Sequence, residues 1–126
     1  MFEMRLSLLR VGAVCSILAL VVLSWLPGQT MVRSGLLSPS DEHFLAYMGS
    51  ALLVTAALPR YRLIHIAWLY VVLAGVLELG QNIVPGRDPE VFAAFVSMCG
   101  AIVGWVAARL LSSSWRERLG LSTIPR

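Results

Sequence analysis

Glu78 and Gln81 stand three residues apart near the end of a run, 63–84, that is otherwise apolar enough to cross a bilayer, and Pro85-Gly86-Arg87 follows at once. An ionisable side chain inside such a span costs about 2.5–3.5 kcal/mol on insertion scales, so it is seldom there without a partner or a purpose. A second polar group begins with Asp41, Glu42 and His43 and continues with Tyr47, four residues after His43. Spacings of three and four put side chains on one helical face, so His43 pairs with Tyr47 and Glu78 with Gln81. If the two faces meet, Glu78 can hydrogen-bond His43 or Tyr47, and Arg87 can cap the group. Such a cluster offers acid and base chemistry at Glu78 and His43 with Arg87 holding a phosphate, or binding of a polar headgroup by the same residues without a reaction.

Each member also has a plainer role. Asp41 and Asp88 lie where helix N-termini are expected, and carboxylates there commonly serve as caps and dipole partners. Arg87 beside a membrane surface suits a headgroup anchor, and Tyr47 suits an interfacial aromatic belt together with Trp25, Trp68, Trp105 and Trp115. His43 at an interface needs only solvent. Glu78 is the member that these roles explain least. Other chemistries do not assemble: a zinc site lacks third and fourth ligands, since His65 falls at the opposite side of the membrane from His43. Ser38 and Ser40 read as caps rather than nucleophiles, and there is no glycine-rich phosphate loop. Cys15 and Cys99 sit in apolar runs as small packing residues. Neither a metal nor a cofactor is expected.

The elements that must position these residues are helices in a membrane. Of the 126 residues, 58% are hydrophobic and 13% charged, too little polar surface for a soluble domain of this size. The apolar runs cover 6–26, 44–58, 63–84 and 91–111, each near the ~20 residues that cross hydrocarbon once caps are counted. Ser38-Pro39-Ser40-Asp41 supplies an N-cap serine, a proline at the first helical position and an acid at the third, so the second helix is expected from 39. Asp88-Pro89-Glu90 repeats the logic and moves the start of the fourth to 89. Pro27-Gly28 and Pro85-Gly86 end the first and third. Residues 1–24 have the basic and apolar parts of a signal peptide but no small-x-small cleavage site, so they read as a retained span. The expected fold is all-α: one domain, 1–126, an integral membrane four-helix antiparallel bundle with spans at about 6–26, 39–58, 63–84 and 89–111.

The charges orient it. The ten basic residues are all arginine, and Arg5, Arg10, Arg60, Arg62, Arg109, Arg116, Arg118 and Arg126 fall on one side, where Glu3 and Glu117 leave a balance of +6. Arg33 and Arg87 fall on the other with five carboxylates, a balance of −3, and the two sides recover the chain's +3. Basic loops stay in the cytoplasm, so both termini are expected there, in a multi-pass protein of the inner (cytoplasmic) membrane, with the polar cluster facing out. The dispersed arginines make nucleic acid a poor partner; the short basic tail rests on anionic inner-leaflet lipid. On the fourth helix Ser97, Gly100 and Gly104, flanked by Ala93 and Ala108, form a small-residue stripe for close helix packing, within the bundle before any homo-oligomer or partner protein.

At these residues the chain resembles the VanZ-like family of small bacterial membrane proteins. The matching pieces are Leu23-Ser24-Trp25-Leu26-Pro27, Asp41-Glu42-His43-Phe44 with Tyr47, Glu78-Leu79-Gly80-Gln81 with Pro85-Gly86-Arg87, and Gly100-Ala101 with Gly104. Together they run from Leu23 to Gly104. The family's namesake is associated with resistance to the glycopeptide teicoplanin. The resemblance implies a role in the cell envelope, with Asp41, His43, Tyr47, Glu78, Gln81 and Arg87 recognising an anionic lipid headgroup, a lipid-linked cell-wall precursor or a glycopeptide. Two alternatives stand beside it: a membrane enzyme acting on a lipid-linked phosphate or glycan through His43 and Glu78, and a structural subunit of a larger envelope complex. The family's fourth helix commonly carries an aspartate and, four residues on, an asparagine, where this chain has Ala93 and Ser97. If those two complete the family's site, this chain is a divergent member with altered or lost activity.

Overall fold

The structure, a computed structural model, describes residues 2–27, 35–58, 61–88 and 90–118. They form four α-helices: α1 Phe2–Trp25, α2 Pro39–Ala57, α3 Leu63–Gly80 and α4 Val91–Arg118, with one 3-10 turn, Gln81–Ile83, closing α3. The expected cap at Pro89, the charges Arg33 and Arg60, and the tail 119–126 lie outside the described residues, as do the side chains of Glu3, Arg5, Trp115, Arg116, Glu117 and Arg118.

Helix ends follow local chemistry. Ser38 caps α2: its hydroxyl accepts the Asp41 N–H at 3.2 Å, the Asp41 carboxylate accepts the Ser38 N–H at 3.3 Å, and Pro39 follows as the first helical residue. The third helix was expected to 84, but its α-helical part stops at Gly80 and tightens into the 3-10 turn. Pro85 forces Val84 into extended backbone (φ −97°, ψ 121°), so the last turn before it must close early. The fourth helix begins at Val91 rather than 89, and it continues to Arg118, beyond the apolar run, because nothing in 112–118 breaks a helix.

Three helices contain stretches long and apolar enough to cross a bilayer: Leu6–Trp25, Leu63–Ile83 and Val91–Leu111. Their outer surfaces carry hydrocarbon side chains. On α1, Leu8, Val11, Val14, Leu18 and Val22 are each more than half exposed. A stripe of that kind would be an aggregation face in water, and it is the ordinary surface of a helix in lipid. α2 does not reach the same apolarity, although its 19 residues extend about 28 Å, close to the ~30 Å hydrocarbon core. Its position explains this. α2 packs on α1 and α4 and buries Tyr47, Ser50, Ala51, Val54, Thr55 and Ala57 against its neighbours, so less of it meets lipid.

Successive helices alternate in direction. The start of α1 and the end of α4 belong to one end of the bundle, the terminal end; the ends of α1 and α3 and the starts of α2 and α4 form the other, the rim. The most extensive contact joins α2 and α4, which run in the same direction. Gly100 lies against the Phe44 backbone and Gly104 against the Met48 carbonyl and the Leu52 amide, with no space for a Cβ at either. Small residues let backbones approach where hydrocarbon surroundings provide no hydrophobic drive, and packing itself then holds the pair. The Gly100 and Gly104 stripe is thus filled by α2 of the same chain.

Candidate functional site

The last turn of α3 delivers two polar side chains to the rim. Gln81 is 4% exposed, and Glu78, half-buried, turns its carboxylate to α4, where Oε1 accepts the backbone N–H of Glu90. Glu90 immediately precedes α4, and its own carbonyl accepts the Ala94 N–H at 3.2 Å. The carboxylate therefore sits at a helix N-terminus, where the unpaired amides and the dipole both favour negative charge. This is the partner that an acid so close to the membrane requires.

Arg87 does the converse. Gly86, with φ 73°, lets the chain reverse after Pro85, and the Arg87 N–H donates to the Val84 carbonyl at 3.2 Å. Its guanidinium then reaches the end of α1: Nε donates to the Leu26 carbonyl at 3.1 Å and an Nη to the Leu23 carbonyl at 2.8 Å. A cation at a helix C-terminus is the electrostatic complement of an anion at an N-terminus. Arg87, expected to cap the Glu78 group, serves as a cap on α1, where orphan carbonyls need donors. Trp25 closes the same corner, its indole lying so tightly on Gly80 that a Cβ would overlap it.

α2 contributes the third wall. Tyr47 is buried, its phenol lies within electrostatic range of the Glu78 carboxylate, and its ring meets Tyr70 edge-on, with centroids 6.0 Å apart. His43 stands half-buried one turn nearer the helix start, while Asp41 is exposed and spends its carboxylate on Ser38, including a 2.7 Å bond from the Ser38 hydroxyl. On α4, Ala93 and Ser97 face inward, and the Ser97 hydroxyl donates to the Ala93 carbonyl at 2.8 Å. The structure thus brings Tyr47 within electrostatic range of Glu78, ties Glu78 to α4, and places Arg87 and Asp41 at helix ends.

Below the rim runs a polar chain that the sequence reading did not single out. Ser50 of α2 shares hydrogen bonds with Ser16 of α1 at 3.0 Å and with the hydroxyl of Tyr70 of α3 at 2.7 Å. Ser16 also donates to the Ala13 carbonyl at 2.8 Å. Three helices are pinned at mid-depth, where there is no water to serve these hydroxyls. The available signal was the placement of Ser16, Ser50 and Tyr70 inside otherwise apolar spans. Tyr70 in turn packs on Tyr47, so a line of hydroxyl and aromatic groups leads from the bundle's middle toward the rim.

Chemically, the rim offers a carboxylate with one oxygen engaged, a phenol, a primary amide and an imidazole, framed by apolar helices. That set can accept and donate hydrogen bonds to hydroxyl, amide or phosphate groups. Among the described residues, no three of His, Cys, Asp or Glu gather closely enough to hold a metal ion. Comparison with protein-family models, with curated proteins and with solved structures returned no match.

Proposed function

We propose that this chain is a small bacterial membrane protein of the VanZ-like kind. Its rim faces out of the cytoplasmic membrane and receives the polar head of an envelope amphiphile: an anionic lipid, a lipid-linked cell-wall precursor or a glycopeptide. The observation that carries this reading is the convergence of Tyr47 from α2 and Glu78 from α3 beside the start of α4. The polar residues quoted for the resemblance, Asp41, His43, Tyr47, Glu78, Gln81 and Arg87, come from the rim half of the helices and support this reading. The arginine asymmetry supports the orientation, with both termini in the cytoplasm.

Headgroups of this class present hydroxyls, amides and phosphates at the depth where Glu78, Gln81, Tyr47 and His43 lie. Binding suits the geometry better than catalysis, since Arg87 already serves two α1 carbonyls and is poorly placed to grip a transferring group.

The test is Glu78→Gln. Glutamine keeps an oxygen for the Glu90 N–H and removes only the charge, so the rim survives while its electrostatics change. In a strain expressing the protein, teicoplanin susceptibility and retention of lipid-linked precursors by the purified protein are expected to fall toward those of a strain lacking it. Equal behaviour of wild type and variant in both assays would remove the role given to the carboxylate. A reporter fused to the C-terminus that is active only outside the cytoplasm should stay silent, and activity there would reverse the orientation.

A further inference from the structure

Between α3 and α4 the bundle is incompletely filled. An apolar cleft of about 150 Å³ runs from Leu63 to Val71 along α3, facing Phe95 to Trp105 of α4. Eight residues of helix rise make it about 12 Å long, parallel to the helix axes. Its floor is the buried side of Ile66, Tyr70 and Ala101, and its lips are Leu63, Phe95 and Ile102, all exposed on the outer surface. Both flanking helices contain membrane-spanning stretches, so the opening faces hydrocarbon. An empty groove there forfeits dispersion contacts that a neighbouring chain would supply.

The terminal end of the cleft is polar in a specific way. Trp105 lines it, and the Arg109 guanidinium lies 5.6 Å from the Trp105 ring centroid while donating to the Tyr61 carbonyl at 2.6 Å. Arg62 directly precedes Leu63 of the lip. By sequence this end carries eight arginines against Glu3 and Glu117, so its charge balance is positive.

We propose that the α3–α4 cleft binds one anionic phospholipid from the leaflet at the terminal end, its acyl chain in the cleft and its phosphate at Arg62 and Arg109. Basic mouths between transmembrane helices recognise anionic headgroups by charge and by guanidinium–phosphate hydrogen bonds. The site is separate from the rim and stands whether or not the rim binds an envelope ligand.

Native mass spectrometry of the detergent-purified protein, titrated with phosphatidylglycerol or with phosphatidylcholine of the same chains, tests it. The wild type should retain one phosphatidylglycerol with a preference of about thirtyfold, as two arginines at about 1 kcal/mol each would give. Ala67→Phe, which fills the cleft, should lose that lipid, and Arg109→Gln should keep a lipid but lose most of the preference. Equal retention by wild type and by folded Ala67→Phe, or equal retention of the two lipids by the wild type, overturns the proposal. Should Ala67→Phe fail to fold, Cys99 decides, since it lines the cleft. In a Cys15→Ser protein, phosphatidylglycerol should slow alkylation of Cys99 several-fold more than phosphatidylcholine does, and identical rates with the two lipids overturn it.

Discussion

The carboxylate of Glu78 accepts the backbone N–H of Glu90, twelve residues on, so that a side chain of α3 closes the N-terminus of α4. Helices usually find such a cap in their own preceding residues. Here the cap arrives from a neighbour and fixes how α3 and α4 meet at the rim. Glu78→Ala should therefore destabilise the protein by about 0.5–2 kcal/mol, the usual cost of losing a helix N-cap. Glu78→Gln should cost about 0.3–1 kcal/mol, the lost charge–dipole attraction alone. Unfolding in mixed micelles measures both, and equal losses for the two variants would argue against a capping role.

The glycines divide into two kinds. Gly100 and Gly104 have no space for a Cβ against the backbone of α2, whereas a Cβ at Gly12, Gly49 or Gly75 would meet nothing within 4 Å. Alanine at Gly104 must push α2 and α4 apart, with an expected loss of about 1–3 kcal/mol for overpacking. Alanine at Gly49 should be neutral or stabilising by about 0.5–1 kcal/mol, since it only removes backbone freedom. Thermal stability in one detergent separates the two classes, and a neutral Gly104→Ala would contradict the α2–α4 packing.

Ser50 joins two partners, so its removal orphans more than the removal of either one. Ser50→Ala should cost more than Ser16→Ala, and the cycle of Ser50→Ala with Tyr70→Phe should show a coupling of about 0.6 kcal/mol, reaching ~1.7 at most. Additive single variants would mean that the 2.7 Å hydrogen bond contributes nothing net.

Arg87 holds two carbonyls of α1 through different nitrogens. Lysine cannot reproduce that fork, so Arg87→Lys should behave more like Arg87→Gln than like the wild type. Gly86→Ala should act through the same link, because φ 73° costs an L-residue about 1–2 kcal/mol. Protease sensitivity of the segment between α1 and α2 is the readout, with faster cleavage expected in all three variants. Unchanged cleavage in Arg87→Gln would show that the α1 end is held by other means.

Much of the helical layout was legible in the sequence because it depends on residues one at a time. Apolar runs marked the hydrocarbon-crossing stretches, Ser38 with Pro39 and Asp41 marked the start of α2, and Pro85 with Gly86 marked the end of α3. The exact stops were shifted by a few residues, since the 3-10 turn at Gln81–Ile83 depends on how Val84 is displaced by Pro85. The rim was legible as a set of residues and not as a set of bonds. Spacing put Glu78 with Gln81 and His43 with Tyr47, but it could not send the Glu78 carboxylate to the Glu90 amide or Arg87 to the α1 carbonyls. Backbone amides at a helix end look alike in every sequence.

What the sequence by itself determined is that this chain is a helical membrane protein with its polar side chains collected at one end and its arginines weighted to the other. Only the tertiary structure decided which helices touch: α2 against α4 through Gly100 and Gly104, and the Ser16–Ser50–Tyr70 chain across three helices. The physical reason is that helices in lipid are apolar on their inner and outer faces alike. Hydropathy then reports the solvent around a helix, while the choice of neighbour rests on shape and on a few hydrogen bonds that exist only once the backbones are side by side.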